Sequence, residues 1–487
     1  MLSDRRGEVS AQNLLLLAFF VLMSAATAYF IINLSVQKVI FLFATGLLCI
    51  LSFVNVSIGL FFIVFFMMFP NLMPRQMFGI VGINPFNLLF GAIITVVILR
   101  MIVRGSDLRF AEPFYIPLVL IFLLQGIALL RFQDVSHVPL LENTHWLTRF
   151  LKPMQYVILL ILIINFIRSK QIPLLSIIIL SGLLVAGGIL FAEWLSHGFA
   201  MTTSFSVNRT HLLWANPVLG HKVNWGTMFT LSFFFVLAIS GQRFHHWNFV
   251  LRLLSWIALG LIGFAIAVSL ARVAYVCLVV GILYFFWKRG RFQLMVMLII
   301  LAIAISIMPE MVRLRASQDL PTVWNAVALD RLLSGRLSAI WIPAVQSFLE
   351  SPLFGKGFNG AGVYLLGQAH FVFPHSGYIA TLCDMGIVGL VVMIWLFVSL
   401  WRYCGRIYLN TKSQLTRRLS LGCRAQILIL ALSNLTSDHS FFYNPTVVAP
   451  FFPSVAMLFA LYRQEQESQK VAPPVLHEEE ILVSPPV

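Results

Sequence analysis

Long apolar runs separated by short polar breaks dominate this chain, at 14–34, 39–54, 56–73, 86–103, 114–130, 153–167, 172–195, 223–240, 253–270, 273–287, 292–308, 376–401, 419–436 and 447–462. A bilayer hydrocarbon core of about 30 Å takes about 20 apolar residues in an α-helix. Lipid offers no partner to an open peptide group, so such spans must be helical. The pattern predicts an all-α, polytopic integral membrane protein with about 14 transmembrane helices (12–14) and one large outer loop over residues 309–375. Beyond Tyr462 the chain turns polar and proline-rich, a composition that predicts a disordered tail over 463–487.

Composition strengthens the membrane reading. Apolar residues make up 60% of the chain and charged ones 10%, against about 25% charged in soluble domains. The net charge of +15 does not point to nucleic acid, because no basic stripe with interleaved aromatics lies on a soluble segment. Arginine and lysine instead gather in alternate loops, among them Arg100, Arg104, Arg168, Lys288, Arg289, Arg402, Arg406, Arg417 and Arg418. With the N-terminus inside, this is the positive-inside bias. The five cysteines fall in spans or inner segments, so no disulfide framework or CxxC metal site is expected. Arg5 and Arg6 before an apolar run ending Ala26-Thr27-Ala28 imitate a cleavable signal. The run continues past Tyr29, which favours an uncleaved first helix.

Within the outer loop, Arg336 to Glu350 places Leu337, Ile340, Trp341, Ala344, Val345 and Phe348 at helical spacing. That predicts an amphipathic helix at the membrane surface, kinked at Pro343 and ended by Ser351-Pro352. The following GKGFNGAG, residues 355–362, lacks the phosphate-loop spacing and reads as a flexible turn.

Candidate chemistry is sparse. There is no HExxH, GxSxG, phosphate-loop or DxD motif, and outer acidic residues stand singly. No metal and no cofactor are expected. What remains is arginine and histidine placed outside, against the inward bias. Arg209 lies in SVNRTHLLWANPVLG, and Arg272 sits in the tight turn SLARVA between two spans. A charge at that depth costs a few kcal/mol unless compensated. Guanidinium forks match phosphate oxygens, and an imidazole titrating near pKa 6.5 suits a base at neutral pH. The competing explanation for either arginine is snorkelling to the headgroups or pairing with a backbone carbonyl.

These residues carry a family resemblance. His375-Ser376, nine residues, Gly386, two residues and Gly389 resemble the H-[NSQ]-x9-G-x-x-[GTY] pattern of bacterial O-antigen ligases, shared more loosely by O-antigen polymerases. Ser334-Gly335-Arg336, Trp341 and the stretch Pro352-Leu353-Phe354-Gly355-Lys356-Gly357 resemble the "GR…W…PLxGxG" segment upstream of that histidine. The turn from Ser269 to Ala274, and Arg209 with Asn216-Pro217, look like two further segments of the superfamily. The resemblance divides the chain into N-terminal helices (1–204), a ligase-like core (205–401), C-terminal helices (402–462) and the tail.

The resemblance implies a metal-independent, inverting glycosyltransferase of the inner membrane with its site facing the periplasm. Its donor would be an undecaprenyl-diphosphate-linked oligosaccharide, its acceptor a glycan or the lipid A core, and its surroundings membrane lipids. Carried over, His375 would be the general base, with Arg209, Arg272 and Arg336 binding the diphosphate. Two departures stand out: about 14 spans where ligases commonly have about 12, and Ser376 where asparagine is more frequent. A polytopic solute or lipid transporter is the alternative from another class, and a non-catalytic scaffold a third.

Overall fold

The computed structural model describes residues 34–69, 76–77, 80–81, 84–104, 108, 112–131, 146–196, 215–216, 220–240, 248–306, 336–365, 374–437 and 447–471. The described residues are all-α apart from two short antiparallel pairs, β1 (Gln76–Met77) with β2 (Ile80–Val81) and β3 (Ala215–Asn216) with β4 (Gly220–His221). The helices are α1 (Leu34–Val54), α2 (Val56–Phe66), α3 (Pro85–Arg104), α4 (Tyr115–Leu130), α5 (Trp146–Phe166), α6 (Ile172–Ser196), α7 (Lys222–Ile239), α8 (Asn248–Ser269), α9 (Arg272–Arg289) and α10 (Arg291–Ser306). After the outer loop come α11 (Ile342–Leu349, preceded by a π turn at Leu337–Trp341), α12 (Gly362–Leu365), α13 (Gly377–Asn410), α14 (Gln414–Thr436) and α15 (Phe451–Val471).

Helices lie under every expected span except 14–34, most of which falls outside the described residues. Among the described residues, five stretches are long and apolar enough to cross a membrane by themselves: Pro85–Val103, Ser169–Ser196, Phe249–Ser269, Gly377–Asn410 and Gln414–Thr436. The run at 56–73 behaves differently from the expectation. Its helix α2 covers 11 residues, about 17 Å at 1.5 Å per residue, too short to cross. Most of α2 is buried among its neighbours, which is what a short, uniformly apolar helix does.

A second departure concerns the tail. Helix α15 continues to Val471, through residues 463–471 that composition assigned to disorder. Arg463 pairs with Glu467 one turn on (3.3 Å), Gln464 donates to the Ile167 carbonyl (2.9 Å), and Glu465 accepts from the Lys412 amide (2.7 Å). Those ties fasten the segment to the loops after α5 and α13. Glu, Gln, Lys and Arg are good helix formers, so a polar composition alone does not forbid the extension.

Around the site, α13 and α14 form the central pair. Helices α7 and α9 pack along α14, α4 and α11 against α13. Arg424 on α14 lies over the Trp401 ring (4.2 Å) and near that of Tyr284 (5.7 Å). The aromatic faces compensate a cation held between helices.

Candidate functional site

His375 begins the site. It sits just before α13 with a left-handed backbone (φ 48°), uncommon for a residue with a side chain. Four contacts hold the turn. The Trp341 indole donates to the Pro374 carbonyl (2.9 Å), the Ser376 hydroxyl to the Asn434 carbonyl (3.2 Å), and the Gly377 amide to the Ser437 carbonyl (3.2 Å). Ser376 is also the N-cap of α13, its oxygen accepting from the Ile379 amide (3.4 Å). Asparagine and serine are both strong N-cap residues, so either can follow the histidine for one local reason. Gly377 has no alternative: a Cβ there would overlap the Asn434 side-chain oxygen.

Arg336 reaches the same helix end. Its Nη1 donates to the Thr436 carbonyl, one residue before the carbonyl that takes the Gly377 amide. The C-terminal end of α14 therefore ties the segment bearing Arg336 to the turn bearing His375. Asn434, fully buried, donates to the Leu430 carbonyl (2.7 Å), while its side-chain oxygen has no hydrogen-bond partner.

Arg272 stands at the first position of α9, after a two-residue link from α8 in which Leu270 is left-handed (φ 51°). The link is braced by the Ser269 hydroxyl, which donates to the Ile266 carbonyl (2.7 Å) and accepts from the Ala271 amide (3.2 Å). Gly226 of α7 lets Ser269 and Ala274 approach: an added Cβ would lie 2.9 Å from Ser269. A cation at a helix N-terminus works against the helix dipole by about 0.3–1 kcal/mol, whereas an anion there is favoured.

Helix register brings Arg272 to the end of the bundle that holds the other two. Helices α9 and α14 run antiparallel, with Tyr284 beside Arg424 and the Cys277 thiol donating to the Ile429 carbonyl (3.8 Å). From that contact Arg272 lies about 7.5 Å further along α9 and Thr436 about 10.5 Å further along α14. Arg272, Arg336 and His375 thus share one end of the bundle. Arg209 lies outside the described residues.

The glycine pattern has a structural task that the sequence reading missed. Helix α13 breaks at Gly386 (φ 67°, ψ −165°). An unbroken helix would join the Ile387 and Val388 amides to the Cys383 and Asp384 carbonyls. Here those amides donate instead to the Pro352 (2.9 Å) and Leu353 (3.3 Å) carbonyls. The freed Cys383 and Asp384 carbonyls accept from the Lys356 (2.7 Å) and Gly357 (3.1 Å) amides. The turn after α11 is inserted into the break, and four cross-bonds replace two.

Gly355 (φ 66°) and Gly357 (φ 99°) supply the left-handed backbone of the insert. The Asp384 carboxylate accepts from the Gly360 amide (2.9 Å), and the Phe358 amide donates to the Ala128 carbonyl at the end of α4 (2.8 Å). Residues 355–362 are therefore a fixed insert, not a flexible turn. The amides of Lys356, Gly357, Phe358, Gly360 and Gly362 all bond within the protein, so they do not form a phosphate cradle.

The amphipathic segment also differs from expectation. Its face at Ile340, Ala344 and Ser347 is buried beside Cys383 and Ile379 of α13, with the Cys383 thiol donating to the Ala344 carbonyl (3.1 Å). It is a packed element of the site. Among the described residues, no three or more His, Cys, Asp or Glu side chains gather as a metal site. Among the described residues, the left-handed residues other than glycine, Leu270, Asn359 and His375, lie in these site segments, where strain commonly concentrates.

Residues 257–394 match the family described as O-Antigen ligase. Over that segment the chain is similar to the O-antigen ligase/polymerase superfamily, within a multi-pass membrane protein. The matched segment contains Arg272, Arg336 and His375, whereas Arg209 precedes it. No curated protein matches the chain.

Proposed function

We propose that this protein is a membrane glycosyltransferase of the O-antigen ligase/polymerase type, acting at the end of the bundle that carries Arg272, Arg336 and His375. The observation that supports it most is the common anchorage of the His375 turn and Arg336 on the consecutive carbonyls of Thr436 and Ser437 at the end of α14. A pure transport path gives no reason to fix a histidine in a left-handed turn at the bundle end that also carries two arginines.

In this reading the donor is a glycan on undecaprenyl diphosphate, the acceptor is a glycan or lipid A core hydroxyl, and the site faces the periplasm of an inner membrane crossed about 12–13 times. His375 takes the acceptor proton as the hydroxyl oxygen attacks the anomeric carbon. The bond from that carbon to the diphosphate breaks with inversion, and the diphosphate leaves on its lipid. Arg272 and Arg209 neutralise the departing charge, acting without a metal. Arg336 contributes to diphosphate binding while fastening its own segment to α14.

The test is envelope glycan profiling by gel in a deletion strain complemented with wild type or His375→Ala at matched protein levels. Restoration by wild type alone supports the transferase. Full complementation by His375→Ala would overturn it and bring transport or scaffolding forward. Accumulated long lipid-linked chains would indicate a ligase, single repeats a polymerase.

A further inference from the structure

We infer that the helix–turn from Ile342 to Phe358 is a re-entrant element set into the hydrocarbon of the bilayer, and that its outer face touches lipid acyl chains. Two helices serve as rulers. On α13 the first arginine at the far end is Arg402. Counting back the roughly 20 residues that cross about 30 Å of hydrocarbon reaches Leu382. The break at Gly386, with Pro352 and Leu353 bonded into it, then lies about 6 Å inside the boundary. On α4 the same count forward from Glu112 ends one residue past Arg131. Ala128, which accepts from the Phe358 amide, again falls about 6 Å inside. The rulers are in register, since Phe114 contacts Tyr403 at the far end (6.1 Å between ring centres).

The surface chemistry agrees with that depth. While Ala344 and Ser347 are buried, Ile342, Val345, Leu349, Leu353 and Phe354 are 39–64% exposed. Water would meet an apolar patch there. The patch instead continues the exposed apolar stripe of α13 at Ile387, Val391 and Ile394 and that of α4 at Leu123, Ile127 and Leu130. These are the bundle's lipid-facing surfaces. Irregular backbone survives at such depth only when its polar groups are bonded within the protein, which the four cross-bonds at Gly386 accomplish. The charges of Lys356 and Glu350 in this turn form an ion pair, as charges near hydrocarbon usually do. Because Arg336 and Trp341 lead directly into the element, it ties the His375 turn to a fixed depth at the headgroups. The inference needs only that the bundle spans a bilayer and stands whether or not His375 is catalytic.

The experiment places single nitroxide labels at Leu349→Cys and Phe354→Cys in the full chain, in phosphatidylcholine–phosphatidylglycerol proteoliposomes with the half-buried Cys49 replaced. Both substitutions lie on the outer face and leave the core unaltered. Collision with oxygen is compared with collision with a water-soluble nickel chelate, using Ile394→Cys as the mid-span reference and Asn410→Cys as the aqueous one. The expected result is high oxygen and lost nickel collision at both labels, as at Ile394. Nickel collision at the Asn410 level would put the element in water and overturn the inference. Loss of both collisions would mean that protein, such as a second copy of the chain, covers the face, and would overturn it too.

Discussion

Gly386→Ala tests whether the inserted turn is a rigid part of the site. Alanine must hold φ 67° with ψ −165°, a region almost confined to glycine, at about 1–3 kcal/mol. Its Cβ would also overlap the Leu353 carbonyl, pushing the turn out of the break. The four cross-bonds contribute about 1 kcal/mol each, and losing two brings the total to about 3–5 kcal/mol. Local opening of the 342–358 element should therefore rise roughly a hundredfold to a few thousandfold. Cys383 reports this directly, because it is 0% exposed and its thiol bonds the Ala344 carbonyl across the interface. The assay is alkylation of folded protein by N-ethylmaleimide with site-resolved mass spectrometry, in which labelling follows the open population when closing is fast. Gly260→Ala is the control, since no atom lies within 4 Å of its added Cβ. If Cys383 in Gly386→Ala reacts at the wild-type rate, matching the control, the inserted turn is not what keeps this region closed.

Other substitutions probe the histidine turn. Ser376→Ala removes the N-cap and the hydroxyl bond to Asn434, and should cost about 0.5–2 kcal/mol with a loss of glycan transfer. Ser376→Asn should retain both stability and transfer, as read by thermal unfolding and gel profiling. Gly377→Ala collides with the Asn434 amide and should lower both readouts; adding Asn434→Ala removes the collision and should restore part of the stability in a double-mutant cycle.

How far the sequence was legible differs from element to element. The apolar runs located the helices because lipid forces each run to bond within itself, a constraint visible in local composition. Sequence alone also marked the arginine turn at 269–274, which is a tight link between α8 and α9. Local composition misled at α2, whose apolar run marks a buried helix too short to span. It misled again at 463–471, where long-range ties to Ile167 and Lys412 hold polar residues in a helix.

What the sequence determined by itself is an all-helical membrane protein with an arginine turn, a histidine turn and a family pattern of glycines. Only the tertiary structure decided what joins them. The exchange of hydrogen bonds between 352–357 and 383–388 links segments far apart in the chain, and no periodicity encodes such pairing. The meeting of Arg336 and the His375 turn on α14 likewise depends on carbonyls that every residue possesses, so side-chain identity cannot announce it. The glycines were readable as letters, but their reason lies in the backbone of another segment occupying the place where a Cβ would be.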